Sequence, residues 1–173
     1  MSGPKTERLL RVAIVLLTFA FVLVIANRLH ERVVTVGDSA PDFSITADNG
    51  RTISAANFGG KLLVLNFWAT WCPPCVEETP SLSRFAAGMA NQGVVVLAIS
   101  VDKDEKAYRN FVERHRPAFL TARDPQARIN ADYGTFKYPE TYVINASGKV
   151  VRKFISDQPW DSENMVKDIQ SLL

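Results

Sequence analysis

LLVLNFWATWCPPC, residues 62–75, decides the fold. Its first half, Leu62 to Trp68, is apolar apart from Asn66 and follows Gly59-Gly60. Such a run suits a strand buried on both faces, as in a parallel arrangement. Its second half sets Cys72 and Cys75 where that strand gives way to a helix. Pro73 and Pro74 fit there, because first-turn N–H groups have no intrahelical partner. Cysteines at i and i+3 of a helix share a face, with Cβ atoms roughly 5–6 Å apart. That is close to disulfide geometry, in which Cα atoms lie about 4.4–6.8 Å apart. The pair can therefore cycle between dithiol and disulfide with little backbone movement.

The placement assigns unequal roles. Cys72, at the mouth of the helix, meets unpaired N–H groups and the positive end of the helix dipole, which favour a thiolate. Cys75, one turn inside, is expected to be the more buried, resolving thiol that releases a mixed disulfide. The two prolines also remove N–H donors from the thiolate, so the pair is expected to be more reducing than one flanked by free donors.

Outward from this stretch the chain alternates strands and helices. Phe43–Ala47 and Arg51–Ser54 read as a hairpin around Asp48-Asn49-Gly50. Ala40-Pro41 opens the domain in an extended conformation. The helix from Pro73 runs to about Ala90, with Leu82, Phe85, Ala86 and Met89 at helical spacing and Pro80 as an expected kink. Val94–Val101 is a second buried strand, Glu105–His115 a helix and Gln126–Tyr133 a short helix. Glu140–Asn145 and Lys149–Ile155 form a hairpin around Ser147-Gly148, and Asp161–Leu173 closes as a helix. The fold class is α/β.

Hydrophobic residues at 47% and charged residues at 22% fit a packed domain rather than a disordered chain. Residues 1–32 hold Lys5, Arg8, Arg11, Arg28 and Arg32 against Glu7 and Glu31, leaving the body near neutral. A neutral body has no electrostatic footprint for nucleic acid, and that class of partner is set aside. Val12–Ala26 is apolar apart from Thr18, and with Leu9, Leu10 and Leu29 it approaches the roughly 20 residues that span a bilayer. The same pattern fits a cleaved signal peptide ending at Val24-Ile25-Ala26. The apolar run reaches that site without a polar region, which favours an uncleaved anchor. The expected organisation is a cytoplasmic N-terminus (1–11), a transmembrane anchor (12–29), a tether (30–35) and a folded domain (36–173) on the periplasmic or extracytoplasmic side. The charge difference across the helix favours that orientation by a small margin.

The active-site stretch Asn66–Cys75, with Tyr133-Gly134, Tyr138-Pro139-Glu140-Thr141 and the opening Val36–Phe43, resembles the TlpA/ResA-like branch of the thioredoxin superfamily. This branch includes the membrane-tethered reductants of cytochrome c maturation. The resemblance covers Val36 to Leu173. It implies a thioredoxin-like fold with an N-terminal β-hairpin extension, and catalysis by Cys72 and Cys75 without a separate cofactor. It also implies that Pro139 is the cis-proline facing the dithiol, with Tyr138 offering backbone hydrogen bonds to an extended substrate and Trp71 on an apolar rim. Glu78, one turn beyond Cys75, matches the branch's acidic residue, expected to carry a raised pKa and to relay a proton to that sulfur. Ordinary thioredoxins have a buried aspartate where this chain has Asn66. A solvated first-turn glutamate is the plainer account of Glu78, and of Glu77 still more so. Glu140 is expected to line the substrate groove, or else to face water. The implied partners are a membrane thiol-transfer protein as electron donor and an oxidised cysteine pair as acceptor, in an apocytochrome c or a copper-centre protein.

Two alternatives stand beside this reading. A peroxiredoxin-like activity is suggested by Val36–Phe43, but the approach to Cys72 through Phe67 and Thr70 lacks the P-x-x-x-T-x-x-C pattern. A metal carrier or docking module would use the thiols as soft ligands. The only histidines, His30 and His115, are not placed in the sequence to complete a site, and no metal ligand is assigned.

Overall fold

The computed structural model describes residues 4–28 and 33–173, with the side chains of the first helix described over residues 7–24. In chain order the elements are α1 (Pro4–Arg28), β1 (Ser44–Thr46), β2 (Thr52–Ser54), β3 (Leu62–Trp68), α2 (Pro73–Met89) and β4 (Val94–Ser100). They continue as α3 (Glu105–His115), β5 (Leu120–Arg123), α4 (Arg128–Asp132), β6 (Glu140–Asn145), β7 (Val150–Ile155) and α5 (Glu163–Gln170). A division after residue 32 separates α1 from a second unit, Val33–Leu173.

Among the described residues no helix is long and apolar enough to cross a membrane. The anchor expected over 12–29 takes in side chains, from Ile25 on, that lie outside the described residues. Residues 1–3 of the expected cytoplasmic segment and 29–32 of the anchor and tether lie outside the described residues. The tether expected to reach residue 35 ends earlier. Val34 is buried in the domain core and donates its amide to the Tyr133 carbonyl at 3.1 Å.

Strand β3 is buried at every position because it is the centre of a five-stranded sheet ordered β5-β4-β3-β6-β7. It runs parallel to β4, as the apolar run implied, and antiparallel to β6, so the sheet is mixed. Alternation along β3 feeds two cores. Leu62 and Val64 pack with Leu82, Phe85 and Met89 of α2 and with Trp160 and Ile169, while Leu63, Leu65 and Phe67 pack with Ile53, Tyr133 and Tyr142. The strand starts where backbones crowd: a Cβ on Gly60 would lie 2.6 Å from the Gly93 carbonyl, which accepts the Lys61 and Leu62 amides.

Both hairpins form where expected, β1 with β2 and β6 with β7. Helix α2 continues through the exposed Pro80 to Met89. Edge strand β5 was not foreseen, and the short helix expected from Gln126 starts at Arg128. There Ala127 adopts φ 51° and Asp124 accepts the Ile129 amide at 2.8 Å.

Candidate active site

The carboxyl end of β3 delivers the redox pair. Cys72 is the N-cap of α2 in an extended conformation, and Pro73 and Pro74 occupy the first helical positions. Cys72 and Cys75 form a disulfide with their Cα atoms 5.3 Å apart. The Cys75 amide donates to Cys72 Sγ at 3.3 Å, the donor that remains once two prolines have removed theirs. Cys72 retains 5% of its surface and Cys75 1%, so both sulfurs are tucked in; Cys72 sits between exposed Trp71 and Pro73. The difference in burial has the expected sense and is small.

The loop before the cysteines is anchored from the neighbouring strand. Buried Asp102, just after β4, accepts the Thr70 amide at 2.9 Å, the Thr70 hydroxyl at 2.7 Å and the Ser100 hydroxyl at 2.5 Å. Val101 donates to the Trp68 carbonyl at 3.0 Å. These bonds fix the turn from which Trp71 and Cys72 emerge.

Strand β6 brings in the other wall. The Tyr138–Pro139 peptide is cis. Glu140 pairs with Phe67 in the β3–β6 register, so Pro139 falls level with Trp68, at the start of the cysteine loop. Tyr138 packs against the cluster holding both cysteines and meets the edge of the Trp71 ring at 5.8 Å between centroids. Trp71 and Tyr138 thus meet beside the cysteine loop, with Pro139 level with its start.

Glu78 lies one turn past Cys75 on the same buried face of α2 and is 4% exposed, not solvated. Its Oε1 accepts from Asn66 Nδ2 at 2.9 Å, and its Oε2 from Trp160 Nε1 at 3.0 Å and the Gln158 amide at 3.3 Å. Asn66 is itself fixed by donating to Thr141 Oγ1 at 2.9 Å. Burial pushes the Glu78 pKa up to about 7 against the lowering effect of these donors, and the nearby Asp157 charge adds to the rise. Glu77 is exposed, as a solvated first-turn residue should be.

Glu140 corrects an expectation. Its side chain is fully buried, neither lining an open groove nor facing water, because its face of β6 is the face of Tyr142 and Ile144. Lys153 of β7 lies 2.7 Å from its Oε1. Trp160, Gln158 and Asp102 were not foreseen around the site, nor was Lys153, away from the sulfurs, as the partner of Glu140. The nearest signal was Trp160 in Pro159-Trp160-Asp161, a large aromatic just ahead of a helix. Among the described residues no group of His, Cys, Asp and Glu side chains gathers to hold a metal ion.

Residues 35–173 match the Redoxin family model. The chain is similar to the thiol-disulfide oxidoreductase ResA of Bacillus thuringiensis subsp. konkukian, 32% identical over 89% of this chain and 91% of that protein. ResA of Bacillus subtilis is 31% identical over 81% of this chain and 76% of its own length. Among solved structures, a Chlorobium tepidum protein assigned as the thiol:disulfide interchange protein DsbE superposes with a TM-score of 0.73 at 27% identity. That match covers 80% of this chain and 98% of the other, which makes the fold thioredoxin-like.

Proposed function

The chain belongs to the redoxin family, among its ResA-like thiol–disulfide oxidoreductases of the thioredoxin superfamily, and we propose on that footing that it reduces protein disulfides outside the cytoplasm. The observation that carries this reading is the Cys72–Cys75 disulfide at the N-cap of α2, backed one turn deeper by buried Glu78.

In the reductive direction Cys72, as a thiolate, attacks one sulfur of the substrate disulfide. The other substrate sulfur leaves with the bonding electron pair and takes up a proton. Cys75 then gives up its proton to Glu78, whose pKa near 7 suits a group that must both take and return one at neutral pH. The Cys75 thiolate attacks Cys72 Sγ, the mixed disulfide breaks, and the second substrate sulfur departs. Two electrons have passed to the substrate, and the protein is left in the disulfide form described above. A membrane thiol-transfer protein restores the dithiol.

Trp71, Tyr138 and Pro139 form the substrate-binding wall, with the Tyr138 backbone pairing with an extended substrate segment as an added strand. The acceptor is an oxidised cysteine pair in an apocytochrome c or a copper-centre protein. The apolar run Val12–Ala26 supports a single-pass anchor in the cytoplasmic membrane, with the domain on the periplasmic or extracytoplasmic face.

Redox titration of the full chain in detergent tests this function. A potential near that of thioredoxin, about −270 mV, is expected of a reductant; a value near −120 mV, that of a strong oxidant, would overturn it.

A further inference from the structure

The loop from Tyr133 to Glu140, which carries cis-Pro139, is closed at its base by a buried charged cluster that the exchange chemistry leaves unused. Glu140 has no exposed surface, and its Oε1 lies 2.7 Å from both Lys153 Nζ and Tyr142 Oη. The Lys153 side chain is only 11% exposed. Its ammonium also donates to the Val34 carbonyl at 2.9 Å and lies 4.9 Å from the centre of the Tyr142 ring. The Tyr142 oxygen sits 3.1 Å from Thr135 Oγ1 and 3.2 Å from the Tyr133 carbonyl. One phenol therefore joins the upstream end of the loop, at Tyr133 and Thr135, to its downstream end at Glu140.

A buried ion pair gives up strong hydration, a cost that an apolar pair in its place would not incur, so it is weak evidence for added stability. Glu140 Oε2 finds no hydrogen-bond partner, so the carboxylate is held through Oε1 alone. The geometry is that of a directional tether. Lys153 and Tyr142 hold one oxygen of the residue next to cis-Pro139, and Lys153 ties the same point to Val34, the second residue of the folded unit.

We propose that Lys153 is a positioning residue that, through Glu140 and Tyr142, fixes the cis-proline loop in the shape that receives a protein substrate. It touches neither the sulfurs nor the substrate. The inference rests on the oxidoreductase reading and deepens it, since a small disulfide needs only the Cys72–Cys75 pair whereas a protein segment also needs the loop.

The test compares reduction of insulin with reduction of 5,5′-dithiobis(2-nitrobenzoate) by the full chain in detergent. Lys153→Met is expected to raise KM for insulin about tenfold, with kcat and the small-disulfide rate within about twofold of wild type. Lys153→Arg, which keeps the cation, is expected to restore KM. Tyr142→Phe keeps the ion pair and removes only the hydroxyl, and is expected to raise the insulin KM severalfold. Unchanged insulin KM in both variants, or equal losses on both substrates, would overturn the inference. Should Lys153→Met fail to fold, Tyr142→Phe decides alone, and a wild-type KM there overturns it. A wild-type chain inert toward insulin defeats the oxidoreductase reading instead.

Discussion

Trp160 donates its indole N–H to Glu78 Oε2 at 3.0 Å, across 82 residues of chain. The contact ties the segment leading into α5 to the helix that bears the cysteines, and it gives a buried carboxyl a fixed direction. Because burial outweighs the donors, the Glu78 pKa stands at about 7 rather than 4.5. Folded Glu78 thus keeps its proton over a pH window in which the unfolded chain has released it. Between about pH 4.5 and 7 the unfolded state binds fewer protons, so stability falls as pH rises. The full effect is on the order of 3 kcal/mol. Glu78→Gln is expected to flatten this part of the profile, measured by urea unfolding of the oxidised chain at pH 5 and pH 8. The same variant is expected to remove a limb near pH 7 from the rate of insulin reduction. A limb that survives in Glu78→Gln would show that another group moves the proton.

The prolines of the redox motif make a separate prediction. The Cys72 sulfur receives the Cys75 amide at 3.3 Å, while Pro73 and Pro74 supply no N–H. A new donor at position 73 would stabilise the thiolate and with it the reduced state. A hydrogen bond to a charged group contributes about 1.5–3 kcal/mol, and 1.4 kcal/mol corresponds to about 30 mV for a two-electron couple. Pro73→Gly is therefore expected to raise the potential by about 30 mV or more, read by equilibration with dithiothreitol. An unchanged or lower potential counts against the missing-donor account.

Much of this was legible from one stretch of sequence. The apolar run at 62–68 and the prolines after Cys72 place the end of β3 and the start of α2, because both signals are local. The position of Glu78 on the cysteine-bearing face follows from helical spacing alone. Its burial does not, since the groups that enclose it, Asn66, Gln158 and Trp160, come from other elements. Glu140 was misplaced for the same reason. Alternation along β6 says that it shares a face with Tyr142, but Lys153 becomes its partner only through the β6–β7 register, which pairs Tyr142 with Lys153. Strand β5 escaped notice because it is a short edge strand, half-buried at both ends, whose sequence Leu120-Thr121-Ala122-Arg123 carries no strong period.

The two sulfurs should separate cleanly by substitution. Cys72, the N-cap with more remaining surface, is the attacking sulfur in the proposed mechanism, and Cys75 resolves. Cys72→Ser is expected to abolish insulin reduction. Cys75→Ser should still attack but lack the thiol that releases the product, so a mixed disulfide with substrate accumulates and is seen as a dithiothreitol-sensitive adduct on a non-reducing gel. Adducts trapped by Cys72→Ser and not by Cys75→Ser would reverse the assignment.

Asp102 is the residue on which the approach to Cys72 depends most. Both of its oxygens are engaged, Oδ1 by the Thr70 hydroxyl and Oδ2 by the Thr70 amide and the Ser100 hydroxyl, and it is 2% exposed. Asp102→Ala strips these donors of their acceptor in a buried place and is expected to cost about 2–4 kcal/mol. Asp102→Asn is a milder change, because a hydroxyl both donates and accepts. An amide nitrogen in the Oδ1 position can donate to Thr70 Oγ1 once that hydroxyl rotates, while the amide oxygen keeps the other two bonds. The Asn variant is therefore expected to lose about 1 kcal/mol or less. Urea unfolding of the oxidised proteins measures both costs. If alanine and asparagine prove equally mild, the loop before the cysteines is held by its own backbone contacts, such as Val101 to Trp68, and Asp102 is incidental to it.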